Sequence, residues 1–179
     1  MNLYYPLPDS DTYDCLNAVN SEDFKLLMYF MGYPAYQHYE GMPSSWKPIP
    51  VEIERREKSG HFPSLSGHPL VVSEEARKIL QPLIGGSVQF LPLICSSGNY
   101  AVLKVVDVVD CLDYTRAVVS RFRSSGRVMS IKSYAFKEGC IGDRAIFQLP
   151  ELNTVLVSQR FKDCVDANGL EGLIFRQVA

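Results

Sequence analysis

The sequence predicts a single α+β domain, mostly antiparallel strands with two or three short helices. Three observations lead there. A chain of 179 residues, 46% hydrophobic and 21% charged, has the size and composition of one soluble domain able to bury its own core. Two segments, 71–90 and 155–175, each read as a strand end, a serine at a helix start, a glycine stop and a further strand. Between them, 88–94 and 100–106 are apolar runs joined by Ser96, Ser97, Gly98 and Asn99, the pattern of a β-hairpin.

Taken in order, the first 45 residues are acidic and aromatic. Ten of the twenty aromatic side chains fall between Tyr4 and Trp46, and residues 1–50 hold six acids against two lysines. Phe24, Leu27, Met28 and Met31 lie at helical spacing and read as one apolar face. This segment, 1–45, is expected to belong to the same domain as 46–179. From Pro43 to Pro69 the chain is punctuated by Pro, Ser and Gly, which predicts loops around one short strand at 51–53. Ser73 followed by Glu74 and Glu75 starts a helix with Ala76, Ile79, Leu80 and Leu83 on one side, and Gly85 and Gly86 end it. Strands follow at 88–94, 100–106, 128–136 and 144–149. Ser158 caps a last helix that stops at Asn168 and Gly169, and 173–178 is the final strand. Val72, Ser73, Arg77 and Phe90 match Val157, Ser158, Lys162 and Phe175 at a constant offset of 85. The match is either an internal helix–strand duplication or the common look of any capped helix feeding a strand.

Composition narrows the function classes. A formal charge of −2 argues against a cationic nucleic-acid module. Five cysteines, at 15, 95, 111, 140 and 164, lack CxxC spacing and read as reduced thiols, with Cys111 and Cys164 as small core residues. The opening residues show no signal-peptide pattern, and no run approaches the ~18 apolar residues of a membrane span. The expectation is a cytoplasmic protein without membrane or nucleic-acid partners.

Phosphate-loop, dinucleotide, zincin and serine-elbow motifs are absent from the sequence, so no cofactor, metal or catalytic residue is assigned. His38, His61 and His68 read as solvated loop residues. Asp107, Asp110 and Asp113 would share one face on a helical turn, though exposed acids between core residues are the plainer reading. Arg116, Arg121, Arg123 and Arg127, with Phe122 among them, read as a solvated basic loop. The acidic aromatic arm stands out as a partner surface, represented by Asp9, Asp11, Asp14, Tyr29, Tyr33 and Tyr36. Tyrosines are frequent in interface hot spots and acids speed capture of a basic partner.

The order of several strings carries a resemblance. Trp46, Lys47 and Pro48 precede VVSEEARKILQPL and FLPL. YAVLKVVDVVDCLD, IKSYAFKEG and IFQLPEL come next, and VSQRFKDCVDANGLEGLIFRQV closes the series. This resembles the bacterial immunity proteins of polymorphic toxin systems that form immunity family eleven, over about residues 40–178. The resemblance implies a non-catalytic, cytoplasmic inhibitor that binds a toxin made from a neighbouring gene. Alternatives are a scaffold or secretion partner of that toxin, or a small hydrolase using His61 or His68 with an acid from 107–113. Exposed strand edges also leave open pairing into a homodimer.

Overall fold

The computed structural model describes residues 2–179. Its described residues form twelve strands and three α-helices in an α+β arrangement. In chain order these are β1 (Leu3–Pro8), β2 (Cys15–Ala18), α1 (Ser21–Phe30), β3 (Ile49–Arg55), β4 (Ser64–Leu65), β5 (Val71–Ser73), α2 (Glu74–Ile84), β6 (Val88–Ile94) and β7 (Tyr100–Val105). The remainder are β8 (Val118–Arg121), β9 (Val128–Ser133), β10 (Ile146–Gln148), β11 (Val155–Ser158), α3 (Gln159–Ala167) and β12 (Leu173–Gln177). Short 3₁₀ turns occupy Pro34–Tyr36 and Glu151–Asn153.

Two sheets make the body. One has the order β4-β2-β3-β6-β7-β5 and the other β10-β11-β1-β12, while β8 and β9 form a separate two-stranded ribbon. Pairing is antiparallel except for β2 with β4 and β3 with β6. The likeness between 71–90 and 155–175 has an architectural counterpart. β5 and β6 flank β7, each antiparallel to it, with α2 crossing between them. β11 and β12 flank β1 in the same way, with α3 crossing.

Alternation along the strands builds three cores from these two sheets. Ala76, Leu80 and Ile84 of α2 and Phe161 and Val165 of α3 share one core with Val72, Leu103, Tyr4 and Val157. The opposite face of the six-stranded sheet turns Val71, Val102, Leu91 and Leu93 onto Leu27 and Met28 of α1. The opposite face of the four-stranded sheet turns Leu3, Phe147 and Leu156 onto Cys111, Leu149 and Ile141.

Several expectations are corrected. β1 lies in the acidic aromatic segment, for which no strand is predicted, and Pro6 and Pro8 would ordinarily argue against a central one. The structure resolves this through register: β11 pairs only with Leu3 and Tyr4, so the prolines lie where that side of β1 is unpaired. Residues 106–113 form no helix, so the three aspartates share no helical face, and of the three only Asp110 is exposed while Asp107 and Asp113 are half-buried. Ser73 Oγ accepts from Ala76 N at 3.2 Å as a capping serine should. Ser158 stands at the equivalent position, but its hydroxyl is buried and makes no capping bond. Residues 118–121, within the basic run read as a loop, are a strand, since β8 and β9 pair from Val118↔Ser133 to Arg121↔Val128.

Candidate functional site

The structure separates the residues singled out for a partner surface. Asp9 lies in the turn after β1, where its carboxylate accepts from Thr12 N at 3.2 Å, and Asp11 is exposed beside it. Asp14 is only 3% exposed, and its carboxylate accepts from Glu57 N at 2.7 Å. Its charge therefore holds backbone in place and does not face a partner. Tyr29, Tyr33 and Tyr36 are half-buried at the end of α1 and in the turn after it. No hydrogen bond or ring contact joins these tyrosines to the aspartates. Much of the aromatic excess is packing: Phe24 meets Tyr36, Phe30 meets Trp46, and Trp46 Nε1 donates to Pro92 O at 3.0 Å.

Neither His61 nor His68 pairs with an acid from 107–113 among the described residues. His61 Nδ1 accepts from Glu171 N at 3.0 Å and its Nε2 lies 3.4 Å from Glu75, so this histidine is held in place rather than freely solvated. Asp107, Asp110 and Asp113 pair instead with Arg144, Lys137 and Arg116 at 2.9, 3.3 and 2.6 Å. Asp113 also accepts from the backbone and hydroxyl of Thr115. These donors hold its carboxyl at about 2, below the usual 3.8. Cys111 is buried, and burial pushes its thiol up to about 12, which leaves it an inert core residue at neutral pH.

What the fold does assemble is a cleft of about 610 Å³. One wall is Tyr33 and Pro34. The other is Tyr114 with Arg121, Arg127 and Val128 of the β8–β9 ribbon, and the floor is the 150–153 segment. The Arg121 guanidinium sits over the Tyr114 ring at 5.0 Å and donates to Gly126 O at 2.9 Å. Tyr114 in turn donates its hydroxyl to Glu151.

The floor is locally costly. Leu152 adopts φ +60° and Asn153 φ +51°, in the left-handed region that leucine rarely enters. This conformation costs roughly 1–2 kcal/mol for a residue with a Cβ. Glu151 Oε2, in the same segment, is buried without a hydrogen-bond partner. Strain of this kind tends to persist where a surface has a task. It leaves the Leu152 side chain 50% exposed over the cleft.

The ribbon beside the cleft is unlike the rest of the surface. From Arg116 to Lys132 it carries Arg116, Arg121, Arg123, Arg127 and Lys132 and no acid. Only Arg116 has a carboxylate partner among the described residues. Tyr114, Val118, Phe122 and Met129 are exposed on it, and Leu152 faces the same region. Exposed apolar side chains gathered with unpaired arginines mark a surface suited to a partner.

A model of the immunity protein family, Imm11, matches residues 29–179. The chain belongs to that family. A search of curated proteins finds no match. The Imm11 span takes in Tyr29, Tyr33 and Tyr36, the ribbon and the whole cleft, and leaves Asp9, Asp11 and Asp14 outside it. No helix among the described residues of this Imm11 chain is long and apolar enough to cross a membrane. The basic run with Phe122 is visible in the sequence, where it reads as a solvated loop. Leu152 and Asn153 carried no signal, because neither residue type announces a strained turn.

Proposed function

We propose that this chain is a cytoplasmic immunity protein that binds a toxin encoded by a neighbouring gene and neutralises it without catalysis. Membership of the immunity protein family over residues 29–179 carries this reading. The acid-free ribbon with its exposed apolar side chains supports binding as the means. Neutralisation by binding needs a preorganised surface, and the cleft is framed by elements held from both sides of the molecule.

The test is co-expression. The toxin domain of the adjacent gene product is placed under tight control in a laboratory bacterium, with and without this chain, and survivors are counted. Purified proteins are then mixed and toxin activity measured. Restored growth together with a stoichiometric, inactive complex is the expected result. A complex in which the toxin stays fully active would assign a carrier role, and the absence of any complex would remove the proposal.

A further inference from the structure

We infer that the cleft between the β8–β9 ribbon and the Pro34–Tyr36 turn receives an acidic segment of the partner protein, with Arg121 and Arg127 taking its carboxylates and Leu152 an apolar side chain. This deepens the proposed function and rests on it for the partner's identity, but the chemistry comes from the cleft itself.

Charge complementarity carries the argument. Arg121, Arg123, Arg127 and Lys132 have no carboxylate partner among the described residues, although the chain as a whole is acidic. Arg121 ends β8 and pairs with Val128, the first residue of β9, and Arg127 directly precedes it, so the two arginines reach the cleft from either side of the turn that closes the ribbon. A guanidinium has five N–H donors, and the Arg121 side chain uses one on Gly126 O. Its position over the Tyr114 ring, together with the bond to Gly126 O, restrains the group, which lowers the entropy lost when a carboxylate docks. Beside these charges Leu152 and Val128 offer aliphatic surface within the same cleft.

The alternative anion, a nucleic-acid backbone, fits less well. Glu151 lies in the same cleft, where a backbone with a phosphate at every step would set charge against it, whereas a peptide can present an uncharged residue there. Of the side chains exposed there, Phe122 offers a ring to a base, but Arg121 lies over the Tyr114 ring, and Val118, Met129 and Leu152 offer no aromatic platform. An acidic peptide segment can place its carboxylates on the arginines and turn apolar side chains toward Leu152.

The experiment uses three probes on the full chain: the purified toxin domain of the adjacent gene product, a synthetic peptide alternating aspartate with leucine, and polyuridine RNA. Each is titrated against the wild type, the double variant Arg121→Glu/Arg127→Glu, and Lys78→Glu as an exposed charge change on α2. Thermal melting checks that all three proteins fold. The double reversal should weaken toxin binding about 100-fold and abolish peptide binding, with Lys78→Glu unchanged and RNA not retained. Toxin and peptide binding unaffected by the double reversal would overturn the inference, and so would RNA bound as tightly as the peptide. A wild type that ignores the toxin domain would count against the immunity reading, while the peptide arm still decides the chemistry of the cleft. If the double variant does not fold, Arg121→Gln/Arg127→Gln, which keeps length and polarity, is read by the same criteria.

Discussion

The side-chain amide of Asn153 donates to the carbonyl of Gly32 at 3.2 Å, tying the cleft floor to the chain just beyond α1. Both ends of this bond run through left-handed backbone, with φ +51° at Asn153 and +78° at Gly32. Asn153 Oδ1 also accepts from Gln148 Nε2 at 3.2 Å. Asparagine is one of the few residues with a Cβ that enters this conformation readily. Replacing it with glycine keeps the backbone and loses the hydrogen bonds, at about 1 kcal/mol. Replacing it with alanine loses both, at about 2–3 kcal/mol. Urea unfolding of Asn153→Gly and Asn153→Ala should show that order; equal losses would mean the backbone conformation is not what selects asparagine.

The two serine-led helices should respond differently to the same change. Ser73→Ala removes a capping bond and should cost about 1 kcal/mol. Ser158→Ala removes a buried hydroxyl that has no partner, so its stability should be unchanged or raised by up to about 1 kcal/mol. Thermal melts of both variants decide the matter. A comparable loss at Ser158 would show that its hydroxyl has found a donor or acceptor.

Leu152→Gly sets stability against binding. Glycine relaxes the left-handed conformation, so the folded state should gain roughly 1 kcal/mol. The same variant loses the exposed side chain over the cleft, and its affinity for the toxin domain should fall about tenfold. A variant that is more stable and binds equally well would detach the strain from recognition.

Acid should loosen the fold through Asp113. Its carboxyl sits at about 2 when folded against an ordinary 3.8. A depressed value favours the folded state wherever the unfolded carboxyl is ionised, so the contribution is whole above pH ~4 and is lost as pH falls toward ~2. Glu74, held at about 2 by Arg77, acts in the same direction. The urea midpoint should therefore drop between pH 4 and 2. Asp113→Asn should start lower at pH 7 and fall less steeply, keeping only the part due to Glu74. Parallel curves for the variant and the wild type would assign the acid limb elsewhere.

Most of the body could be read from residue order because its cues are local. Ser73 at a helix start, the apolar spacing of Ala76 and Leu80, the turn at Ser96 to Asn99 and the left-handed Gly169 each act within one element. β1 escaped because its prolines are tolerated only through where β11 stops, a relation between distant segments. β8 escaped because a ribbon standing off the main sheets buries little of either face, so it lacks the apolar alternation of a packed strand. The cleft was illegible for a similar reason. It is made from residues near 33, 114–128 and 150–153; of these the sequence marks Tyr33 for a partner surface and Arg121 and Arg127 only as a solvated basic run. The acid and aromatic excess near the start points to a surface, yet Asp14 holds the backbone just after β3 and five of the ten rings pack around α1.

The placement of β1 between β11 and β12 also fixes when its sheet can close. β1 is made before either partner, and both β11 and β12 lie near the other end of the described residues. At roughly 5–20 residues per second, translation keeps that sheet open for several seconds or more. Until β12 is made the four-stranded sheet cannot close, and a stop that removed only β12 would strip β1 of its longest pairing.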